Sequence, residues 1–334
     1  MRNINKNAVN RATRPANIFF ALLGVLALTF TSARPQTVRA GEDSPSKTFF
    51  PQVGQMSYFL TSSGPDWLAR LNAYRSMADL PALQENPEWS EGDSLHARYM
   101  VKNDRVEHSE APGNPWYSAQ GDAAARASNL VGSGDPQASD LFAIDAWMQA
   151  PFHALGILDP ELTQVGFGSY REQDEVVQMG AALDISRGIT GLPAGTRFPI
   201  IWPSSGSVVP LTGFTSEHPD PLTSCPGYTS PSGLPIIIQL GAGQLSPQVT
   251  ASSFKQGSTA LEHCVFSEVD YYNPTGADQE LGRTILDLRD AVVLIPRHPL
   301  TPGARYTASV QVDGQTHTWS FEVSPDARPV TQGP

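Results

Sequence analysis

AIDAWMQAPFHALGILDPELTQVGFGSY, residues 143–170, is the stretch on which the reading of this chain turns. Leu141, Ile144 and Met148 recur at steps of three and four, the spacing of one helix face, and Trp147 closes the run. Pro151 has no N–H with which to continue that helix and stops it. His153 then falls in what reads as an irregular loop, which runs on to the Asp159–Pro160 turn. From Val165 to Tyr170, Gly166 and Gly168 alternate with larger residues, the pattern of a strand nearly bare on one face. A helix end, a loop with one histidine and a glycine-punctuated strand together present a polar side chain at a cleft.

Upstream, Pro65 and Asp66 suit the first turn of a helix that carries Trp67, Leu71 and Tyr74. Leu71-Asn72-Ala73-Tyr74-Arg75 and then Leu80-Pro81-Ala82-Leu83 follow. Asn86-Pro87-Glu88 opens a second helix with Trp89, His96, Tyr99 and Met100, ending near Asn103. His108 comes off that helix in D-R-V-E-H-S-E, residues 104–110. An alanine-rich helix is expected from about Gly121 to Leu130, closing at Ser128–Asn129. Downstream, Val176 to Leu183 is expected to pair with Val165 to Tyr170 as a hairpin.

From Gly188 the composition shifts. GITGLPAGTRFP, residues 188–199, has three glycines and two prolines and reads as a linker. Beyond it come short strand-like runs: Pro199 to Trp202, Leu234 to Leu240, Leu261 to Phe266 and Ala291 to Ile295. A last pair, Tyr306 to Val312 and Gln315 to Val323, is joined by Asp313-Gly314, a strong two-residue hairpin signal. Short strands separated by turn clusters point to an antiparallel sandwich.

With 334 residues, two domains are the natural expectation. Residues 1–40 carry a basic start (Arg2, Lys6, Arg11, Arg14), an apolar run from Ile18 to Phe30, and small residues before Ala33 and Ala40. This is the pattern of a cleaved signal peptide, with an uncleaved signal anchor as the one route to membrane attachment. The folded part is therefore expected outside the cytoplasm, secreted or in the cell envelope. Those 40 residues hold six of the 22 basic residues and none of the 33 acidic ones, so the remainder carries 16 against 33, a net charge of −17. Such a surface repels phosphate backbones and excludes nucleic acid as a partner. Cys225 and Cys264 are the two cysteines, and in an exported chain they read as a disulfide.

The words W-M-x-x-P-x-H-x-x-x-I-L-x-P and V-G-x-G, with L-N-x-Y-R upstream, resemble the CAP superfamily of cysteine-rich secretory proteins, antigen 5 and pathogenesis-related protein 1, in its bacterial SCP-like extracellular form. The resemblance implies an α+β fold, a three-layer α-β-α sandwich around a central antiparallel sheet. It also implies a cleft of two histidines and two glutamates, whose histidines fall at His108 and His153. At the first glutamate's word this chain has Ala127-Ser128-Asn129, so serine stands where the carboxylate would be and only Asn129 matches. At the second, Met148, Gln149 and Ala150 occupy the ground.

The cleft set is thus His108, Glu110, Ser128, Asn129 and His153, with His108 and His153 as a metal pair for a weakly bound divalent ion, zinc or magnesium. Glu110 enters because residues i and i+2 of an extended segment share a side and it stands two after His108. Ser128 lacks the G-x-S-x-G elbow and fits a helix C-terminus instead. His96 reads as a core histidine, Asp145 as a solvated helix position, and Trp116 and Tyr117 as either groove or core cover.

The expected organisation is a signal peptide over 1–40, a mature arm over 41–56, a CAP domain over 57–187 and a linker over 188–196. A β-sandwich of Ig-like type follows over 197–324, then a loose tail over 325–334. The expected function is a non-catalytic extracellular binding module for a lipid or sterol, a small ligand or a partner protein. The competing expectation is a metal-assisted hydrolase of peptide or cell-wall material, which the unmatched carboxylates disfavour.

Overall fold

The computed structural model describes residues 65–173 and 175–328; the expected signal peptide and mature arm, the first residues assigned to the CAP domain and the end of the expected tail lie outside them. Among the described residues no helix is long and apolar enough to cross a membrane.

Among the described residues, the first half of the chain builds five helices and four strands. They are α1 (Asp66–Ser76), β1 (Gln84–Glu85), α2 (Pro87–Lys102), α3 (Ala119–Ala127), β2 (Ser128–Ser133), α4 (Asp140–Gln149), α5 (Pro151–Ile157), β3 (Gln164–Arg171) and β4 (Met179–Asp184). The side chains of Asn86, Ser118 and Ser139 cap α2, α3 and α4 by accepting from backbone N–H groups of the first turn. The sheet runs β1-β3-β4-β2, with β1 parallel to β3 and the other pairs antiparallel.

Alternation along β4 sorts the layers. Met179, Ala181 and Leu183 join the cluster that holds Leu71, Tyr74, Ile144 and Trp147, while Ala182 packs with Met100 of α2 and Leu130 of β2. Helices therefore cover both faces. The bare face of β3 receives α2: a Cβ on Gly168 would stand 2.0 Å from Ser94 N, and one on Gly166 would stand 2.5 Å from Trp89 Cβ. Only glycine admits the helix backbone at that range.

Two local expectations are corrected. Pro151 does end α4, but it is also the first residue of α5, where a proline needs no N–H, so His153 lies in a helix and not in an irregular loop. The alanine-rich helix stops at Ala127, and Leu130 belongs to β2, which pairs with β4 from Ser128 to Ser133.

The second half contains β5 (Ile200–Trp202), β6 (Val208–Leu211), β7 (Gly213–Phe214), a 3-10 turn at Pro221–Ser224, β8 (Ser232–Gly233) and β9 (Ile236–Gln239). Then come β10 (Val249–Gln256), β11 (Thr259–Ala260), β12 (His263–Ser267), α6 (Gly276–Asp287), β13 (Ala291–Pro296), β14 (Arg305–Val312) and β15 (Gln315–Arg328). They form a five-stranded sheet, β11-β10-β14-β15-β6, a four-stranded sheet, β12-β13-β9-β5, and the pair β7-β8. The β14–β15 turn has positive φ at both Asp313 (49°) and Gly314 (79°), as a two-residue hairpin requires. Cys225 and Cys264 are bonded to each other, with Cα atoms 5.5 Å apart.

This half is not a purely antiparallel sandwich. β6 and β15 are parallel, and α6 follows β12. Strands β9 and β13 are buried on both faces, with α5 against β9 and α6 against β13, which explains their unbroken apolar runs. Escaping the sequence reading, β10 buries little besides Phe254, and α6 buries only Gly282 and Leu286. The expected loose tail begins too early, because β15 continues to Arg328, which pairs with Leu211. Residues 191–195 are all exposed.

The apolar cluster crosses from one half to the other. Tyr74 meets Trp202 edge-on at 5.4 Å, and Phe152 of α5 meets Tyr271 edge-on at 5.2 Å. Such pairs add roughly 0.5–1.5 kcal/mol beyond the area they bury.

Candidate functional site: a cleft at the amino end of helix α5

Helix α5 places His153, and charge holds both ends of the helix. At its carboxyl end the buried Arg75 of α1 donates to the carbonyls of Ile157 (2.7 Å) and Asp159 (2.9 Å). Burial lowers the Arg75 guanidinium to about 10, while the Asp159 carboxylate pulls it back up. Gln239 donates to Leu158 O at 2.9 Å, and Arg289 pairs with Asp159 at 2.9 Å, both from the second half.

At the amino end, Ala150 offers no cap. Glu217, from the loop after β7, takes its place. Its carboxylate accepts from Phe152 N at 3.1 and 3.2 Å and from His153 N at 3.2 Å. An acid at the amino end and a guanidinium at the carboxyl end match the helix dipole.

The same carboxylate reaches the ring: His153 Nδ1 lies 2.8 Å from Glu217 Oε2. The Glu217 side chain is 1% exposed and that of His153 18%. Burial pushes the Glu217 carboxyl above the usual carboxylate range, against the pull of His153 and the two amides. The backbone carbonyl of His153 accepts from Asn129 Nδ2 at 3.2 Å.

His108 bonds the same segment four residues earlier. Its Nδ1 is 2.9 Å from Ala125 O, and since a carbonyl only accepts, Nδ1 carries the proton. Residues 125–129, where α3 passes into β2, thus touch both histidines. Burial lowers the His108 imidazole to about 4; His153, His96 and His218 push it the same way, and the bond to Ala125 opposes. His108 is uncharged at neutral pH. Among the described residues, Nε2 of His108 and Nε2 of His153 have no hydrogen-bond partner.

The other expected cleft residues are committed elsewhere. Glu110 does not turn toward His108: Oε1 bonds His96 Nδ1 at 3.0 Å, and Oε2 accepts from Ser118 N at 2.8 Å. His96 is fully buried, as a core histidine would be. Ser128 closes α3 and donates to Asp93 Oδ1 at 2.8 Å. Asp145, expected in solvent, is held by Arg70 at 2.7 and 2.8 Å and by the Tyr74 hydroxyl. Trp116 lies under the guanidinium of Arg98, 4.2 Å from the ring centroid, and beside Lys102.

Asp93 of α2 and Asp184 of β4 form a buried acidic pair. Asp93 is pushed up to about 7 by burial and by Asp184, and its Oδ2 has no partner among the described residues. Burial raises Asp184 too, opposed by Arg187 alongside.

Residues 68–179 match the profile of CAP, the cysteine-rich secretory protein family. This segment is a CAP domain. No curated protein matches the chain. Among solved structures, an extracellular protein containing a SCP domain from Bacillus anthracis str. Ames is 18% identical with a TM-score of 0.28; the match covers 35% of this chain and 38% of that one.

The CAP segment ends well before Glu217 and His218, and neither was singled out in the sequence. His218, 42% exposed on its side chain, faces Asp278 of α6 at 3.3 Å. Nothing local marks Thr215-Ser216-Glu217-His218 as part of a cleft 64 positions upstream. The one available signal was the uncapped, proline-started helix at Ala150, which implied an acceptor from elsewhere.

For a metal, the donor chemistry fits only in part. Two imidazoles whose Nδ1 atoms are tied to protein acceptors are oriented as metal-binding histidines are. Among the described residues, however, no three histidine, cysteine or acidic groups stand close enough to hold an ion. Resident zinc sites use three or four protein ligands.

Proposed function

We propose that the CAP cleft beside His108 and His153 is a non-catalytic binding site of an exported protein. The observation that carries this is that Nε2 of each histidine has no protein partner among the described residues, while Nδ1 is held at Ala125 O or at Glu217. A ring nitrogen that carries no proton accepts a hydrogen bond from a ligand hydroxyl or amide. Such nitrogens also accept a divalent ion, zinc before magnesium because the donors are nitrogen, with the remaining positions filled by water or ligand. With two protein ligands such an ion exchanges readily. Export is supported by the disulfide, which persists in oxidising compartments. A lipid or sterol, a small polar ligand and a partner protein are the ligand classes that the family resemblance brings.

One observation favours a second reading, the hydrolase. Glu217 against Nδ1 makes His153 an oriented base for a water molecule at Nε2. The test runs zinc titration and hydrolysis assays on peptide and cell-wall substrates with the full chain, His108→Ala and His153→Ala. Weak zinc uptake reduced in both variants, without hydrolysis, is the expected outcome. Hydrolysis abolished by His153→Ala would transfer the assignment to the enzyme, and no uptake of zinc by the intact chain would remove the ion.

A further inference from the structure

We propose that Glu217 is the positioning residue of the CAP cleft, so that the site is assembled from both halves of the chain. The inference rests on the reading of His153 as a cleft ligand, and it assigns the second half a part in that cleft.

The carboxylate is almost wholly buried and spans two backbone amides and one ring nitrogen. Capping alone does not explain it. Helices α2, α3 and α4 take their caps from the residue immediately before the helix, Asn86, Ser118 and Ser139. Helix α5 has Ala150 there and is capped from 65 positions away. A local serine or aspartate at position 150 would satisfy an amide by the same short-range geometry used three times in this chain. Glu217 adds what a local cap lacks, an acceptor on Nδ1 of His153.

The consequence is a defined tautomer. With the proton on Nδ1 and directed at Glu217, Nε2 keeps its lone pair for the cleft. The ring cannot turn away with its helix, because Asn129 holds the His153 carbonyl and Arg75 and Gln239 hold the carbonyls at the far end. The loop that brings Glu217 also brings His218, near enough to disfavour charge on His108. Thr215, in the same loop, accepts from Gln149 of α4 at 2.8 Å. Two residues of this loop, Thr215 and Glu217, thus bond to the CAP domain at Gln149 and at the start of α5.

The test is the protonation pattern of the ring, read by long-range proton–nitrogen NMR on the full, ligand-free chain at neutral pH. In the wild type His153 is expected with the proton on Nδ1. In Glu217→Gln the amide oxygen can take the place of Oε2, which both accepts from His153 N and faces Nδ1, and the proton is expected to stay on Nδ1; in Glu217→Ala no acceptor stands there and the ring proton moves to Nε2. Zinc affinity then falls about tenfold or more, as for other lost partners of metal-binding histidines. Thermal melting confirms that the variant is folded, and a purely structural cap would leave the tautomer where it was. A folded Glu217→Ala variant with the proton still on Nδ1 overturns the proposal. So does a wild-type ring protonated on Nε2, a result that needs no variant. Because the tautomer is read without ligand, failure of the wild type to take zinc counts against the proposed function and leaves this proposal to be decided by the ring.

Discussion

Asp93 shows how a single buried acid sets the response of the molecule to pH. The folded chain holds its proton up to about 7, well above the ordinary value of 3.8. A raised carboxyl contributes stability that is complete below the ordinary value and is lost as the pH climbs to the folded one. Asp93→Asn is neutral throughout, and its side-chain oxygen still accepts from Ser128. The variant is therefore expected to gain on the wild type between about pH 4 and pH 7. At roughly 1.4 kcal/mol per unit, the gain reaches a few kcal/mol at neutral pH and is absent in acid. Thermal melts of both proteins across that range check it; a constant difference would mean that Asp93 does not titrate there. His108 runs the opposite way, its contribution present above 6.5 and lost toward 4, and it cancels in the comparison. None of this was legible in the sequence. Asp93 reads as one more polar position of α2, and its burial follows from the bare strand laid over it.

Among the elements, those with local signals were read correctly and those made by distant partners were not. Asn86-Pro87 announced α2, Asp313-Gly314 announced the β14–β15 hairpin, and Gly166 and Gly168 announced a strand with one empty face. The polar strand β10, the helix α6 and the second start at Pro151 have weak periodicity or short length, and packing from elsewhere decides them. His108 and His153 were singled out through motif words, whereas Glu217 is tied to His153 only through space. The close approach of α2 and β3 gives a sharp prediction. Gly168→Ala puts a methyl into the backbone of Ser94, which has no flexible end to move aside. It is expected to destabilise by about 3 kcal/mol. Gly113→Ala, with nothing within 4 Å of the added carbon, serves as the near-neutral control in the same denaturant titration. Equal effects of the two would show that the layers are looser than drawn.

At the scale of the whole molecule, the two halves are joined more firmly by contact than by chain. Tyr74 on Trp202, Phe152 on Tyr271, Arg289 on Asp159 and Glu217 on α5 all cross between them. The covalent crossing runs through residues 191–195, which are exposed and available to a protease. The disulfide offers no second tether, since Cys225 and Cys264 both lie beyond that crossing. A chain nicked at this point therefore behaves as a heterodimer made from one gene product. It is expected to elute as a single particle of unchanged size, and to resolve into two bands only in denaturant. Cleavage at this exposed stretch would then leave the two halves joined, with a free chain end on either side of the cut.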